Sequence, residues 1–131
     1  IKYAESRDGI HWEREGKVAI EYRDSTEGGI SRPSVIIEDG IYKMWFSARA
    51  KTDYRTNRNR SYRIYYAEST DGIEWIRKDA EAGIDVSENS SDWDYEMIEY
   101  PLVINHLGEK ILFYNGNHFG QSGVGYAVLK K

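Results

Sequence analysis

The sequence has no cysteine, only two prolines and three phenylalanines, and fewer basic than acidic side chains. The absence of cysteine excludes a disulfide framework, a thiolate metal site and a cysteine nucleophile. Apolar runs are short, and a charged fraction of 31% with a mean hydropathy of -0.72 leaves no segment able to span a membrane as a helix. Eighteen Lys and Arg against 22 Asp and Glu give a net charge of -4. Nucleic-acid backbones are bound by clustered cations that neutralise phosphates, so neither a nucleic acid nor a membrane is expected as a partner. The three histidines, His11, His106 and His118, have no metal-ligand spacing, and no carboxylate group resembles a calcium loop. No P-loop, dinucleotide fingerprint or Ser-His-Asp pattern occurs, so neither metal nor cofactor is expected. The chain opens on strand-like residues with no charged-then-apolar leader, so no targeting segment is expected and the compartment stays open.

What the 131 residues do contain is 40% hydrophobic and 14% aromatic side chains, enough to build a core. They also contain a repeat. Tyr3-Ala4-Glu5-Ser6-Arg7-Asp8-Gly9-Ile10-His11-Trp12-Glu13-Arg14 recurs as Tyr66-Ala67-Glu68-Ser69-Thr70-Asp71-Gly72-Ile73-Glu74-Trp75-Ile76-Arg77, identical at nine of twelve positions. A second pair matches Pro33-Ser34-Val35-Ile36, Gly40 and Trp45-Phe46 with Pro101-Leu102-Val103-Ile104, Gly108 and Phe113-Tyr114. Tyr126-Ala127 supplies a third copy of the Tyr-Ala step. The unit is roughly 60 to 68 residues long, and the chain holds about two of them.

Each unit reads as strand after strand. Pro33 to Ile37, Ile41 to Ala48, Arg63 to Glu68 and Ile73 to Arg77 are β-prone runs, the first two and the last two each separated by an Asp-Gly turn. Met97 to Asn105, Lys110 to Asn115 and Val124 to Leu129 follow in the last unit, with Lys2 to Glu5 and Ile10 to Arg14 at the start. No segment sustains an apolar period of 3.6, so almost no helix is expected. The expectation is an all-β protein of antiparallel four-stranded propeller blades, about two to two-and-a-half of them: residues 1–16 an outer half-blade, 17–79 a full blade and 80–131 a final blade. A blade buries its faces only against other blades. Either the chain is part of a longer one or it completes a propeller as a homodimer or higher homo-oligomer, and a non-catalytic self-assembling half-propeller is the alternative functional reading.

The Tyr-Ala-Glu-Ser-x-Asp-Gly-Ile-x-Trp hairpin, Arg32-Pro33-Ser34-Val35-Ile36, and Tyr114-Asn115-Gly116-Asn117 with Gly125-Tyr126-Ala127 resemble the five-bladed propeller glycosidases of the arabinanase and fructosidase type, glycoside hydrolase families 43 and 32. The resemblance covers nearly the whole chain and is to the C-terminal blades. It implies carbohydrate binding at an axial pocket where carboxylates cleave an O-glycoside, one protonating the leaving oxygen and another attacking or activating water. Glu99 precedes Pro101 in the Glu-x-Pro pattern where that family places its general acid, and burial beside Tyr100 would raise its pKa. The equivalent position in the other unit is Ser31, and Arg32 stands where the family often has Asp, so the expected carboxylate set is incomplete.

The other expected sugar contacts are Arg32, Trp93, Asp94, Tyr100 and Asn117. Arg32 either clamps a carboxylate or sugar or pairs with Glu99. Trp93 and Asp94 suit stacking on a sugar face with bonds to hydroxyls, or alternatively a turn around a packed Trp. Asn115, Asn117 and His118 lie in a Gly-rich turn, where Asn also serves the turn itself. Trp12 and Trp75 are expected to pack between blades; the arginine-rich stretch from Arg49 to Arg63, with Tyr54 and Tyr62 interleaved, is expected to form a solvated hairpin loop, an RNA or polyanion contact being the alternative.

Overall fold

Seven strands form two antiparallel sheets. In the computed structural model, which describes residues 1–129, the first sheet runs β1 (Glu27–Glu38), β2 (Ile41–Ala50), β3 (Arg63–Ser69) and β4 (Ile76–Arg77) in spatial order. The second runs β5 (Glu99–His106), β6 (Glu109–Asn115) and β7 (Val124–Val128). The remaining regular structure is two short 3-10 turns and a four-residue helical turn at Asn117–Gly120. The architecture is all-β, as the sequence implies, and has the layout of a partial propeller.

The turns follow from local chemistry. Asp39 and Gly40 both take left-handed φ, 51° and 77°, as a two-residue hairpin between right-twisted strands requires. The repeated Ser-x-Asp-Gly-Ile turn is built by its own side chains. Asp71 Oδ1 accepts the amides of Ile73 and Glu74 at 2.8 and 2.9 Å, and Ser69 Oγ accepts the Gly72 amide at 2.9 Å. Asp8 and Ser6 repeat the arrangement with Ile10, His11 and Gly9.

The same hydrogen bonds explain two differences from expectation. With the Ile73 and Glu74 amides held by Asp71, the outer strand shrinks from the expected Ile73 to Arg77 to Ile76–Arg77. The Ile10 and His11 amides are likewise taken, so the N-terminal segment makes only the isolated bridges Lys2↔Val18 and Glu5↔Glu13. β1 also begins earlier than expected, at Glu27, because a bulge absorbs Pro33 and pairing continues beyond it from Ser31↔Ser47 to Glu27↔Ala50.

β2 carries a continuous buried run, Met44 to Ala48, because it is covered on both faces. On one side Trp45, Ile64 and Tyr66 meet Ile98, just before β5, and Val103, Leu112 and Tyr114 of the second sheet. On the other, Met44, Phe46, Ala48 and Ala67 pack under Ile20, Ile30, Tyr65 and Trp75. Each fully buried large side chain contributes roughly 1.5–3 kcal/mol. Trp75 packs on its own sheet beside Tyr42 and Phe46 instead of between the two sheets, and Trp12 is 57% exposed, since no sheet lies over the N-terminal segment among the described residues.

Serine hydroxyls and one acidic side chain tie the sheets together. The Tyr100 amide donates to Ser47 Oγ at 2.7 Å, and the Val103 amide to Ser34 Oγ at 2.8 Å. At the other end of the strands Glu38 Oε2 accepts from Lys43 at 2.9 Å and from Lys110 of β6 at 2.7 Å. Two apolar flanks stay uncovered: Val35 and Ile37 on β1, and the cross-strand row Leu102, Phe113 and Tyr126 with Val124 on the second sheet. Apolar faces of this kind mark contact surfaces.

Candidate functional site

The site is built on a bulge that occurs twice. Ser31-Arg32-Pro33 in β1 and Glu99-Tyr100-Pro101 in β5 each interrupt the register, which jumps from Ser31 to Ser34 and from Glu99 to Leu102. A proline has no amide to give the ladder and bars its predecessor from the right-handed helical region. In both copies that predecessor lies at positive φ, 53° for Arg32 and 57° for Tyr100. Such a conformation costs of order 1–3 kcal/mol in a residue other than glycine, and bulges re-aim side chains. In β5 the two amides flanking the bulge are satisfied by Ser47 and Ser34 of the first sheet.

The bulge leaves Glu99 at 0% exposure, opposite Asn115 of β6. Neither carboxylate oxygen has a hydrogen-bond partner, and no cation lies within salt-bridge distance among the described residues. Burial alone therefore pushes its pKa up to about 7. An unpartnered buried polar group is uncommon in a folded protein and points to use. Ser31 Oγ, at the matching position of the first bulge, is also buried without a partner.

Around the bulge, aromatic rings and guanidinium groups alternate. Tyr62 meets Tyr100 and Phe119 edge-on, with centroids 6.1 and 6.0 Å apart, and Tyr54 at 6.1 Å. Arg32 lies over the Tyr100 ring at 5.3 Å, Arg49 over Tyr54 at 3.8 Å, and Arg55 over Phe119 at 5.6 Å. Arg49 also donates through Nε to the Tyr62 hydroxyl at 3.1 Å. Burial beside Glu99 raises the Tyr100 phenol above its ordinary value.

The structure thus brings Glu99, Tyr100 and Arg32 together and sets the other expected residues apart. Arg32 is exposed and does not pair with Glu99. Trp93 is stacked on Tyr114 with centroids 5.2 Å apart, its indole filling the space beside Gly116 and Gly125. Asp94 is buried and accepts from the Ser87 and Tyr114 hydroxyls. Asn117 accepts the Glu96 amide at 2.7 Å and donates to the Asp92 carbonyl at 3.1 Å, holding the loop before β5.

Ser47 and Phe119 belong to the site without having been singled out by the sequence, which marks Tyr62 only as part of the arginine-rich stretch. Phe119 reaches it because His118 and Phe119 take left-handed φ, 54° and 63°, which no local signal announces. The arginine-rich stretch is likewise more than a solvated loop. Arg58 donates to the Tyr95 and Ser87 carbonyls and Arg63 to the Glu96 carbonyl, fastening it to the last unit.

A separate cleft of about 380 Å³ opens between the sheets, lined by Trp45, Tyr66, Ile84, Leu112 and Lys110 among others, and includes none of the expected site residues. No group of three or more His, Cys, Asp or Glu suited to a metal occurs among the described residues. No helix of the described residues is long and apolar enough to cross a membrane.

No family model matches the chain. Two uncharacterized proteins of Mycobacterium tuberculosis, from strains CDC 1551 and H37Rv, are 43% identical to it over 130 residues, which is 99% of this chain and 40% of each relative. The chain therefore spans about two-fifths of the length of these relatives. Among solved structures, one described as a glycoside hydrolase superposes with a TM-score of 0.73 at 22% identity, covering 98% of this chain and 35% of its own. Zg3597, a family 117 glycoside hydrolase of Zobellia galactanivorans, gives a TM-score of 0.68 at 17% identity, covering 88% of this chain and 39% of its own. The chain has a glycosidase-like fold, and identities this low establish the fold alone.

Proposed function

We propose that this chain is a two-blade part of a propeller glycosidase of the arabinanase and fructosidase type, its C-terminal blades, and that it binds carbohydrate at the Glu99 bulge. Residues 17–79 form one blade and 80–131 the last, the final two lying outside the described residues. Two blades in five match the two-fifths of the relatives' length that the chain spans, and the uncovered apolar flanks suit blades on either side. The observation that carries the reading is Glu99: a carboxyl group without a partner, whose pKa of about 7 lets it hold a proton at neutral pH. Glu99 is the general acid, and the base or nucleophile comes from residues outside this chain. Because Glu99 is closed off from solvent, the surrounding side chains must move aside to admit the leaving oxygen.

Hydrolysis by the intact protein carrying Glu99→Gln tests this. With a natural glycoside the rate falls ~10²- to 10⁴-fold. With a nitrophenyl glycoside, whose leaving group needs no protonation, most of the loss disappears. Equal rates for wild type and variant on the natural glycoside would refute the assignment. The uncovered flanks also fit the second reading, a half-propeller that completes itself with another copy, and light scattering on this chain separates the two: a stable dimer favours self-assembly.

A further inference from the structure

We infer that the site selects an anionic saccharide, one bearing a carboxylate or sulfate held by Arg32 and Arg55 with help from Arg49; this deepens the carbohydrate reading above and rests on it.

Elsewhere in the two sheets and their loops, arginines are neutralised or committed. Arg23 lies by Asp24 and Asp79, Arg60 by Asp53, and Arg63 by Asp85, while Arg77 is held between Glu27 and Asp79. Arg58 is taken up by two carbonyls. Arg32, Arg49 and Arg55, like Arg7 and Arg14 of the N-terminal segment, have no carboxylate within 4.0 Å among the described residues; Arg49 donates to the Tyr62 hydroxyl and the Ala50 carbonyl, and Arg55 to the Tyr54 hydroxyl. Arg32, Arg49 and Arg55 are not scattered, because a continuous run of ring contacts joins them: Arg32 to Tyr100, Tyr100 to Tyr62, Tyr62 to Arg49 and Phe119, and Phe119 to Arg55.

Three like charges on one patch repel one another, and this chain has an excess of carboxylates with which to neutralise them. It does not do so here. Glu96 sits 3.4 Å from His118 and has no arginine within salt-bridge distance among the described residues. A neutral sugar needs ring faces and a few hydrogen bonds, which Tyr54, Tyr100 and Phe119 already offer. It has no use for three guanidinium groups that lack a carboxylate partner. A guanidinium fork matches a carboxylate or sulfate in shape and charge and remains charged at any working pH. The unpartnered Glu99 beside the patch marks the end at which such a ligand meets the reacting group.

The test titrates the intact protein with three oligosaccharides of equal length: an oligogalacturonate, its carboxyl-reduced neutral form, and a sulfated galacto-oligosaccharide. At least one anionic ligand binds ten times or more tighter than the neutral one, and which of them does identifies the charged group. Arg32→Gln and Arg55→Gln each reduce that preference severalfold. Equal affinity for all three, or a preference untouched by both substitutions, overturns the inference and leaves the carbohydrate reading standing. Failure of all three to bind at millimolar concentration overturns both. Tighter binding of a short oligoribonucleotide than of any saccharide also overturns it, assigning the patch to a nucleic acid.

Discussion

Replacing Glu99 by Gln separates a buried acid from an ordinary structural carboxylate, because the two respond oppositely to pH. Burial raises the folded-state pKa from 4.5 to about 7. The unfolded chain releases this proton first as pH rises, so between the two values the native state binds more protons and stability falls with increasing pH. At ~1.4 kcal/mol per pKa unit, the native protein loses about 3 kcal/mol between pH 4.5 and pH 7 through this one group, and nothing further above that. Glu99→Gln abolishes the titration. The glutamine amide is still buried without a partner, which costs ~1–3 kcal/mol at every pH. Absolute stabilities therefore mix two effects, whereas the change with pH isolates one. Urea unfolding of wild type and variant at pH 5 and pH 8 should show the variant gaining about 3 kcal/mol relative to wild type at the higher pH. Parallel pH dependences would refute the reasoning, since they would mean that Glu99 is ionised or solvated in the native state.

The ties between the sheets give further tests. Glu38 accepts hydrogen bonds from Lys110 and Lys43, which hold its pKa at about 2, so its contribution is complete above the unfolded value near 4.5 and is lost as pH falls through 2. Glu38→Gln should cost on the order of 1–2 kcal/mol at pH 7 after allowance for partial solvent screening, and almost nothing at pH 2, as read by urea unfolding. Ser47→Ala leaves the Tyr100 amide without its acceptor and should destabilise by ~1–3 kcal/mol; a loss under 0.5 kcal/mol would mean that the bulge does not depend on that hydroxyl. Gly125→Ala drives a methyl group into the Trp93 indole and should cost ~1–3 kcal/mol, a loss relieved by Trp93→Phe in a double-mutant cycle.

Much of the fold was legible because its punctuation is chemical. The Ser-x-Asp-Gly-Ile motif announces its turn through the side chains that build it, and both copies make the same hydrogen bonds. The same motif misled on strand length, since the Asp carboxylate takes amides that a period-two reading assigns to the ladder. Trp93, Asp94 and Asn117 have the composition of a sugar site, yet Trp93 is committed to packing and the other two to hydrogen bonds inside the last unit. Composition does not distinguish an aromatic displayed to a ligand from one stacked on Tyr114. That distinction lies in Gly116 and Gly125, whose missing side chains make room for the indole.

The pairing of Ser31 with Glu99 was visible in the offset between repeats, but its meaning lies in the backbone. Both residues open the same bulge, both precede a left-handed residue and a proline, and both end with side-chain oxygens buried and unpartnered. A serine there places a small neutral hydroxyl in the interior, a group that stays uncharged at any working pH. A glutamate in the same mount must either ionise without solvation or keep its proton, and burial decides for the proton near neutrality. The repeated bulge therefore supplies the position, and the single residue placed on it decides whether a sheet contributes a titrating group or a neutral hydroxyl.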